Sequence, residues 1–245
     1  MRRALRAWLL LGLGTASSVC SAGGLQVAPV MLSLLATQNA DGLWLSNVGD
    51  DVVHAQVRVY HWSQDATGDH LVASNGLVIS PPMITLAVGA RQLIRVIRVG
   101  PAPSGVGATE DAFRLSIDEL PIDTKGRRGL QYVLHYSVPI FIEPKSIVTT
   151  GPQLRWALQR DGDQVMLEVS NHGDQRAQLA TLSYRGTNGQ RTELLAGLLG
   201  YVLPGATMHW ALKPAASVFT GRGTVQAMVN GDEVSQELSL TDRAH

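Results

Sequence analysis

Only one cysteine, Cys20, occurs in the 245 residues, and it lies close to the N-terminus. The rest of the chain has no disulfide to close, so whatever folds must bury enough apolar surface to stand without one. Neither sign of charge is in excess: 20 basic residues face 20 acidic ones. That balance offers little to nucleic-acid phosphates or to an anionic membrane surface. No apolar run reaches the roughly 20 residues of a transmembrane helix, and no segment keeps a helical period over several turns. His54, His61, His70, His135, His172 and His209 are scattered, without an i, i+4 helical pair, a cysteine partner or an acidic cluster. Such spacing argues against a metal site. No G-x-S-x-G turn presents a serine nucleophile. The expectation is a protein that is not an enzyme, holds no cofactor or metal, and takes no small-molecule substrate.

The first residues read MRRALRAWLLLGLGTASSVCSAGG, with Arg2, Arg3 and Arg6 ahead of a short apolar run and small residues behind it. This is the pattern of a secretory signal peptide, residues 1–22, cut after Ala22. Ser17, Ser18 and Val19 fit a lipid-attachment signal at Cys20 poorly. Removal of the segment leaves 17 basic against 20 acidic residues, a net charge of −3. Beyond it, apolar residues fall in short period-two runs at 25–35, 42–46, 52–62, 77–80, 92–99, 112–120 and 129–142. That density predicts an all-β immunoglobulin-like sandwich. Residues 143–152, EPKSIVTTGP, are polar and bracketed by prolines, as an interdomain linker would be. A second set of runs follows at 153–159, 164–170, 177–184, 194–203, 207–212 and 223–229, with a further candidate at 233–240. Asp161-Gly162, His172-Gly173, Asn188-Gly189 and Asn230-Gly231 punctuate it as turns. The predicted organisation is a first domain at 23–143 and a second at 152–245, two sandwiches at an angle joined by a short linker.

Residues 130–142, LQYVLHYSVPIFI, form the longest alternating segment. Side chains alternate across a strand, so Leu130, Tyr132, Leu134, Tyr136 and Val138 share one face. Gln131, Val133, His135 and Ser137 share the other. The large apolar face either packs into the first domain's own core or serves a partner.

This strand, with its ending VPIFIEP, resembles the last strand of the first domain in periplasmic pilus-assembly chaperones of the chaperone and usher pathway. Further matches lie in order: LQVAPVMLSL, LWLSN, SPPMITLAVGARQLIRV and AFRLSIDELP, then VSNHGD and LLGYVLPGATMHW in the second domain. The resemblance implies two immunoglobulin-like domains, a periplasmic location, and pilin subunits and an outer-membrane usher as partners. It also implies donor-strand complementation, in which the chaperone fills the groove of an incomplete pilin with side chains of its own last strand. By register with the family, Leu130, Tyr132, Leu134, Tyr136 and Val138 are the donor residues. Self-association through the same strand is a further possibility for the free protein. The competing reading is a secreted immunoglobulin-like adhesin or pilus structural subunit. Such a subunit would need an incomplete fold behind an N-terminal extension, whereas here the first run begins within a few residues of Ala22.

The family's usual carboxylate anchor, a basic pair, is missing, because Pro29 and Pro139 occupy those places. Counting back along the hairpin formed by 112–120 and 129–142 sets Arg114 roughly opposite Val138, and its planar fork suits a carboxylate. The sequence resembles the divergent, archaic-like branch of the family, which has an arginine in the F-R-L-x-I-x-E-L-P context. A surface pair with Glu110 or Asp118 is the plainer reading of Arg114, and Lys145 in the linker is a second anchor candidate. Pro81 and Pro82 shape a turn compatible with a cis bond and are a weaker candidate for usher contact. Arg95 and Arg98 fit the alternation around them badly and are read as an exposed strand face, with one of the two a candidate to face the cleft.

Overall fold

The computed structural model describes residues 24–121, 133–145, 149–219 and 221–242. The first half contains β1 (Leu25–Ala28), β2 (Leu32–Leu34), β3 (Ala40–Asn47), β4 (Val53–Asp65), β5 (Gly68–Ala73), β6 (Leu77–Ser80), β7 (Met83–Leu86), β8 (Arg91–Arg98), β9 (Asp111–Leu120) and β10 (His135–Ile142). The second half contains β11 (Leu154–Asp161), β12 (Gln164–Asn171), β13 (Ala177–Arg185), β14 (Arg191–Val202), β15 (Thr207–Leu212), β16 (Arg222–Val229) and β17 (Asp232–Asp242), with a single 3₁₀ turn at Ala216–Val218. The expected two immunoglobulin-like sandwiches are present.

In the first sandwich, a sheet ordered β1-β3-β8-β6 faces a sheet ordered β2-β10-β9-β4-β5, to which β7 adds through β4. The period-two pattern explains the core: Leu43, Leu45, Ile94 and Val96 point inward from one sheet, and Leu115, Ile117, Ile140 and Ile142 from the other. The run at 25–35 is not one strand. A cis Ala28–Pro29 bond separates β1 from β2, and the two pieces join opposite sheets, β1 beside β3 and β2 parallel to β10. β5 and β7 are strands that periodicity did not reveal. In the second sandwich β17 pairs first with β16 and then, at Leu240, turns parallel to β11. The two layers of that domain are thereby joined into one hydrogen-bonded sheet.

Each sandwich holds a loop closed by a buried asparagine at the end of a strand. Asn47 Nδ2 donates to the carbonyls of Asp51 at 2.8 Å and Leu86 at 3.0 Å, while its Oδ1 accepts from the Gly49 N–H at 3.0 Å. Asn171 Nδ2 donates to Gln175 O at 2.7 Å and Val202 O at 3.0 Å, and its Oδ1 accepts from the N–H groups of Gln153 and Gly173. Position 173 must be glycine, since a Cβ there would lie 1.9 Å from Gly151 O. These asparagines are the N of the LWLSN and VSNHGD motifs, so those motifs mark a folding device. Asn171→Ala leaves buried backbone groups unpaired and is expected to cost about 2–3 kcal/mol in a urea unfolding curve. A loss well below about 1 kcal/mol would mean that water replaces the amide.

Candidate functional site at the domain junction and the β10 edge

On the sheet that carries β9 and β10, one face points into the first domain's core and the other points out. The outward side chains nearest the second domain are Trp62 on β4, Ala112 on β9 and Phe141 on β10, and they belong to the same apolar cluster as the second domain's core. Tyr201, from the GYVLPG segment, meets Trp62 edge-on at 5.5 Å and Phe141 at 5.8 Å. Polar contacts fasten this junction. Gln64 Nε2 donates to Tyr201 O at 3.0 Å, and Gln64 Oε1 accepts from the Leu203 N–H at 2.8 Å. Across the other side, Arg176 is paired with Glu110, donates from Nη2 to Ser33 Oγ at 2.9 Å and lies 3.8 Å over the Phe141 ring. Burial pushes the Glu110 carboxyl above the ordinary range despite the opposing pull of Arg176.

Arg114 stands at the mouth of this junction. Its guanidinium lies 3.7 Å over the Trp62 ring and 5.6 Å from that of Tyr201. Across the sheet its Cα partners are Tyr60 on β4 and Pro139 on β10, one residue beyond the Val138 that hairpin counting indicated. It pairs with neither Glu110 nor Asp118: Glu110 is taken by Arg176, and Asp118 by Arg58 and His135. Among the described residues no hydrogen-bond acceptor faces the fork. Desolvation lowers the guanidinium's pKa, opposed by the fields of Asp69 and Tyr201, and arginine keeps its charge through such a shift. Among the described residues the result is a cation with no acceptor on its donors, over an indole whose own buried Nε1–H also has no partner.

Beside it, β10 pairs with β9 along its whole length on one edge, but with β2 only over Ile140–Ile142 on the other. Among the described residues, the second edge from His135 to Pro139 has no strand partner. Leu134 and Tyr136 point toward the sandwich and are only partly buried against its core, and Tyr136 Oη donates to Leu25 O. Val138, grouped with them in the sequence as a donor residue, is 2% exposed and belongs to the first domain's core. The alternation is right, but the two sheets close over the strand by that point, so Val138 faces its own domain. Leu130 and Tyr132 lie outside the described residues.

The remaining candidates lie apart from this constellation. Lys145 is exposed, and its main chain is tied to the 103–104 segment through a 2.7 Å bond to Pro103 O and a parallel bridge to Ser104. No contact links it to Arg114. The Ser80–Pro81 bond is cis, and Pro81 and Pro82 connect β6 to β7 as the chain crosses between sheets. Arg95 is exposed opposite Ser80, whereas Arg98 turns back to Asn39 Oδ1 at 2.9 Å and Ala36 O. Arg176, Gln64 and Trp62 escaped the sequence reading, and Glu110 entered it only as a surface partner for Arg114 rather than as the partner of Arg176, because nothing local marks residues that meet across two domains. Tyr201 alone carried a signal, inside the GYVLPG match.

Among the described residues no helix is long and apolar enough to cross a membrane, and no group of three or more histidine, cysteine or acidic side chains is placed to hold a metal ion. No curated protein sequence matches the chain. Several solved structures share its fold. One is the archaic Csu pilus chaperone CsuC of Acinetobacter baumannii, solved with the tip adhesion subunit CsuE. It is 22% identical with a TM-score of 0.67, over 89% of this chain and 99% of that one. Another is the Salmonella enterica SafA pilin in complex with the SafB chaperone, 16% identical with a TM-score of 0.60, over 88% and 97%. The Pseudomonas aeruginosa CupB2 chaperone is 16% identical with a TM-score of 0.57, over 86% and 98%. Residues 24–148, more than half of the chain, match the model of the pili and flagellar-assembly chaperones, PapD N-terminal domain, and the chain belongs to that chaperone family.

Proposed function

We propose that the protein is a periplasmic chaperone, exported by residues 1–22, that captures incomplete pilin subunits by donor-strand complementation and hands them to an outer-membrane usher. The observation that carries this reading is the coincidence, among the described residues, of a β10 edge without a strand partner and an arginine without an acceptor, at Cα-partner positions Pro139 and Arg114. A subunit lacking its last strand has an apolar groove and an open edge, and either one left exposed invites aggregation. Main-chain bonds along the β10 edge supply a ladder tolerant of sequence, and alternate side chains supply the fit. Leu134 and Tyr136 are the described donor residues, continuing in sequence from Leu130 and Tyr132. Burying such a side chain contributes roughly 1.5–3 kcal/mol. Arg114 takes the subunit's terminal carboxylate, and Lys145 is the fallback anchor. Pro81 and Pro82, on a separate turn, are assigned to usher contact.

The direct test is to recover the tagged protein from the periplasm and ask whether one incomplete pilin accompanies it in a one-to-one complex. Recovery of the protein alone, from cells producing the pilus, would count against the reading. Leu134→Asp is expected to remain folded, since Leu134 is only partly buried, and to lose subunit capture. If the variant captures subunits as the parent does, β10 is not the donor.

A further inference from the structure

The first residue of β10 is tied down by more than its ladder. His135 Nδ1 lies 2.6 Å from Asp118 Oδ1, and because an ionised carboxylate only accepts, Nδ1 is the donor. Asp118 is itself oriented from two sides. Arg58 Nη2 donates to its Oδ2 at 2.8 Å, and Ser116 Oγ donates to the same oxygen at 2.8 Å. Desolvation alone would raise the Asp118 carboxyl, but the bonds from Arg58, His135 and Ser116 hold it down at about 2. These groups run across β4, β9 and β10 in register, with Gln56 opposite Asp118 and Asp118 opposite His135. One residue earlier the Leu134 N–H reaches the Glu119 carboxylate at 3.1 Å, while the Glu119 N–H donates to Leu134 O at 2.9 Å. An isolated exposed ion pair contributes little. Here the acceptor is already fixed by two other donors, so the imidazole meets a carboxylate that has little freedom left to lose.

We propose that His135 is a positioning residue for subunit capture: through Asp118 it fixes the register of the first described residues of the donor strand and which of its faces is turned to the partner. The proposal rests on the donor-strand reading and adds a determinant to it. A one-residue slip exchanges the faces of a strand, so Leu134 and Tyr136 keep their inward phase only while the strand's first cross-strand pair stays in register. The polar row lies on the outward face, away from the donor side chains, and holds the phase without occupying the groove.

His135→Ala removes the bond, whereas His135→Asn places an amide Nδ2 where the imidazole Nδ1 stood. Asparagine is a poor strand former, so recovery with it cannot come from propensity. In the free protein, amide exchange of Leu134 and Tyr136, whose N–H groups face β9, is expected to be about tenfold faster in His135→Ala and close to the parent in His135→Asn, as loss and retention of one charge-assisted hydrogen bond would dictate. Ile140–Ile142, held between β9 and β2, should be unchanged in both. Binding of the pilin subunit recovered with the parent protein is expected to follow the same order. Equal exchange in all three proteins would overturn the proposal, as would equal acceleration in both variants. If Leu134→Asp abolishes capture while His135→Ala leaves it intact, the donor reading stands and the positioning role fails. The exchange measurement needs no subunit, so it decides the His135–Asp118 tie even if the donor reading fails.

Discussion

Arg114→Ala is expected to fold as the parent does and to bind its pilin subunit at least about tenfold more weakly. In the free protein the guanidinium is partly stripped of water and stacked on Trp62, with no acceptor among the described residues. A carboxylate arriving from the open side of the junction can take two parallel N–H bonds from the fork in a site already walled by indole and phenol. Truncating one partner of such a desolvated pair costs on the order of 2–5 kcal/mol, against under about 1 for a charge on a rim. The free protein should lose only the stacking on Trp62, about 0.5–2 kcal/mol, and remain folded. Arg114→Lys keeps a point charge but loses the fork and the stacking, and an intermediate affinity is expected. Titration of the variants with subunit, alongside their melting temperatures, gives the answer. Unchanged binding in Arg114→Ala would remove this residue from the site, and a loss confined to Lys145→Ala would move the anchor into the linker.

Breaking the Glu110–Arg176 pair should have an effect of similar size on folding. The Glu110 side chain is 1% exposed and that of Arg176 17%, so the carboxylate in particular cannot turn to water when its partner is removed. Loss of one member of a buried pair typically costs about 3–5 kcal/mol. Glu110→Ala would also free the Arg176 N–H that donates to Oε2 at 2.9 Å. Arg176→Ala would strip the cation from the Phe141 ring. Each single variant is therefore expected to unfold at markedly lower urea. A double replacement by apolar residues of similar volume should recover much of the loss, because the charges are expensive to bury even when paired. Single variants within about 1 kcal/mol of the parent would show that the junction is wetter than its geometry implies. Subunit binding should weaken too, since the pair helps hold Tyr201 and Trp62 around Arg114.

The strands that carry the core were readable because burial on one face imposes a period of two: β3, β8, β9 and β12 fall where alternation placed them. β5 escaped because five of its six residues are exposed, which leaves no alternation to see. β7 escaped because it follows directly on Pro81-Pro82 and runs on into the Gly89 turn, so the stretch reads as connection rather than strand. The run at 25–35 looked continuous because both of its halves are apolar, and nothing in the letters says that a chain changes sheets at Pro29. Arg114 was located to within one residue by counting along a hairpin, since antiparallel pairing converts sequence distance into spatial position. Val138 was misread because alternation gives the side of a strand but not where the opposing sheet covers it. The Glu110–Arg176 and Gln64–Tyr201 contacts join residues 66 and 137 apart in sequence, and no local pattern encodes such a meeting.

Pro139 gives the open edge of β10 a definite end. It carries no N–H to offer a neighbouring strand, and from Ile140 onward that edge is already occupied by β2. A strand added to the described edge therefore has the five residues from His135 to Pro139 to pair with, about 17 Å at the usual strand rise, before it meets a stop. The Cα partner of that stop is Arg114. The place where the ladder runs out and the place where a terminal charge would be held are thus the same. If Arg114 is the anchor, the edge would act as a ruler with a charged end-plate: it would measure a chain from its terminus and leave most of the letters in between free to vary, as a single chaperone needs if it is to serve subunits of differing sequence.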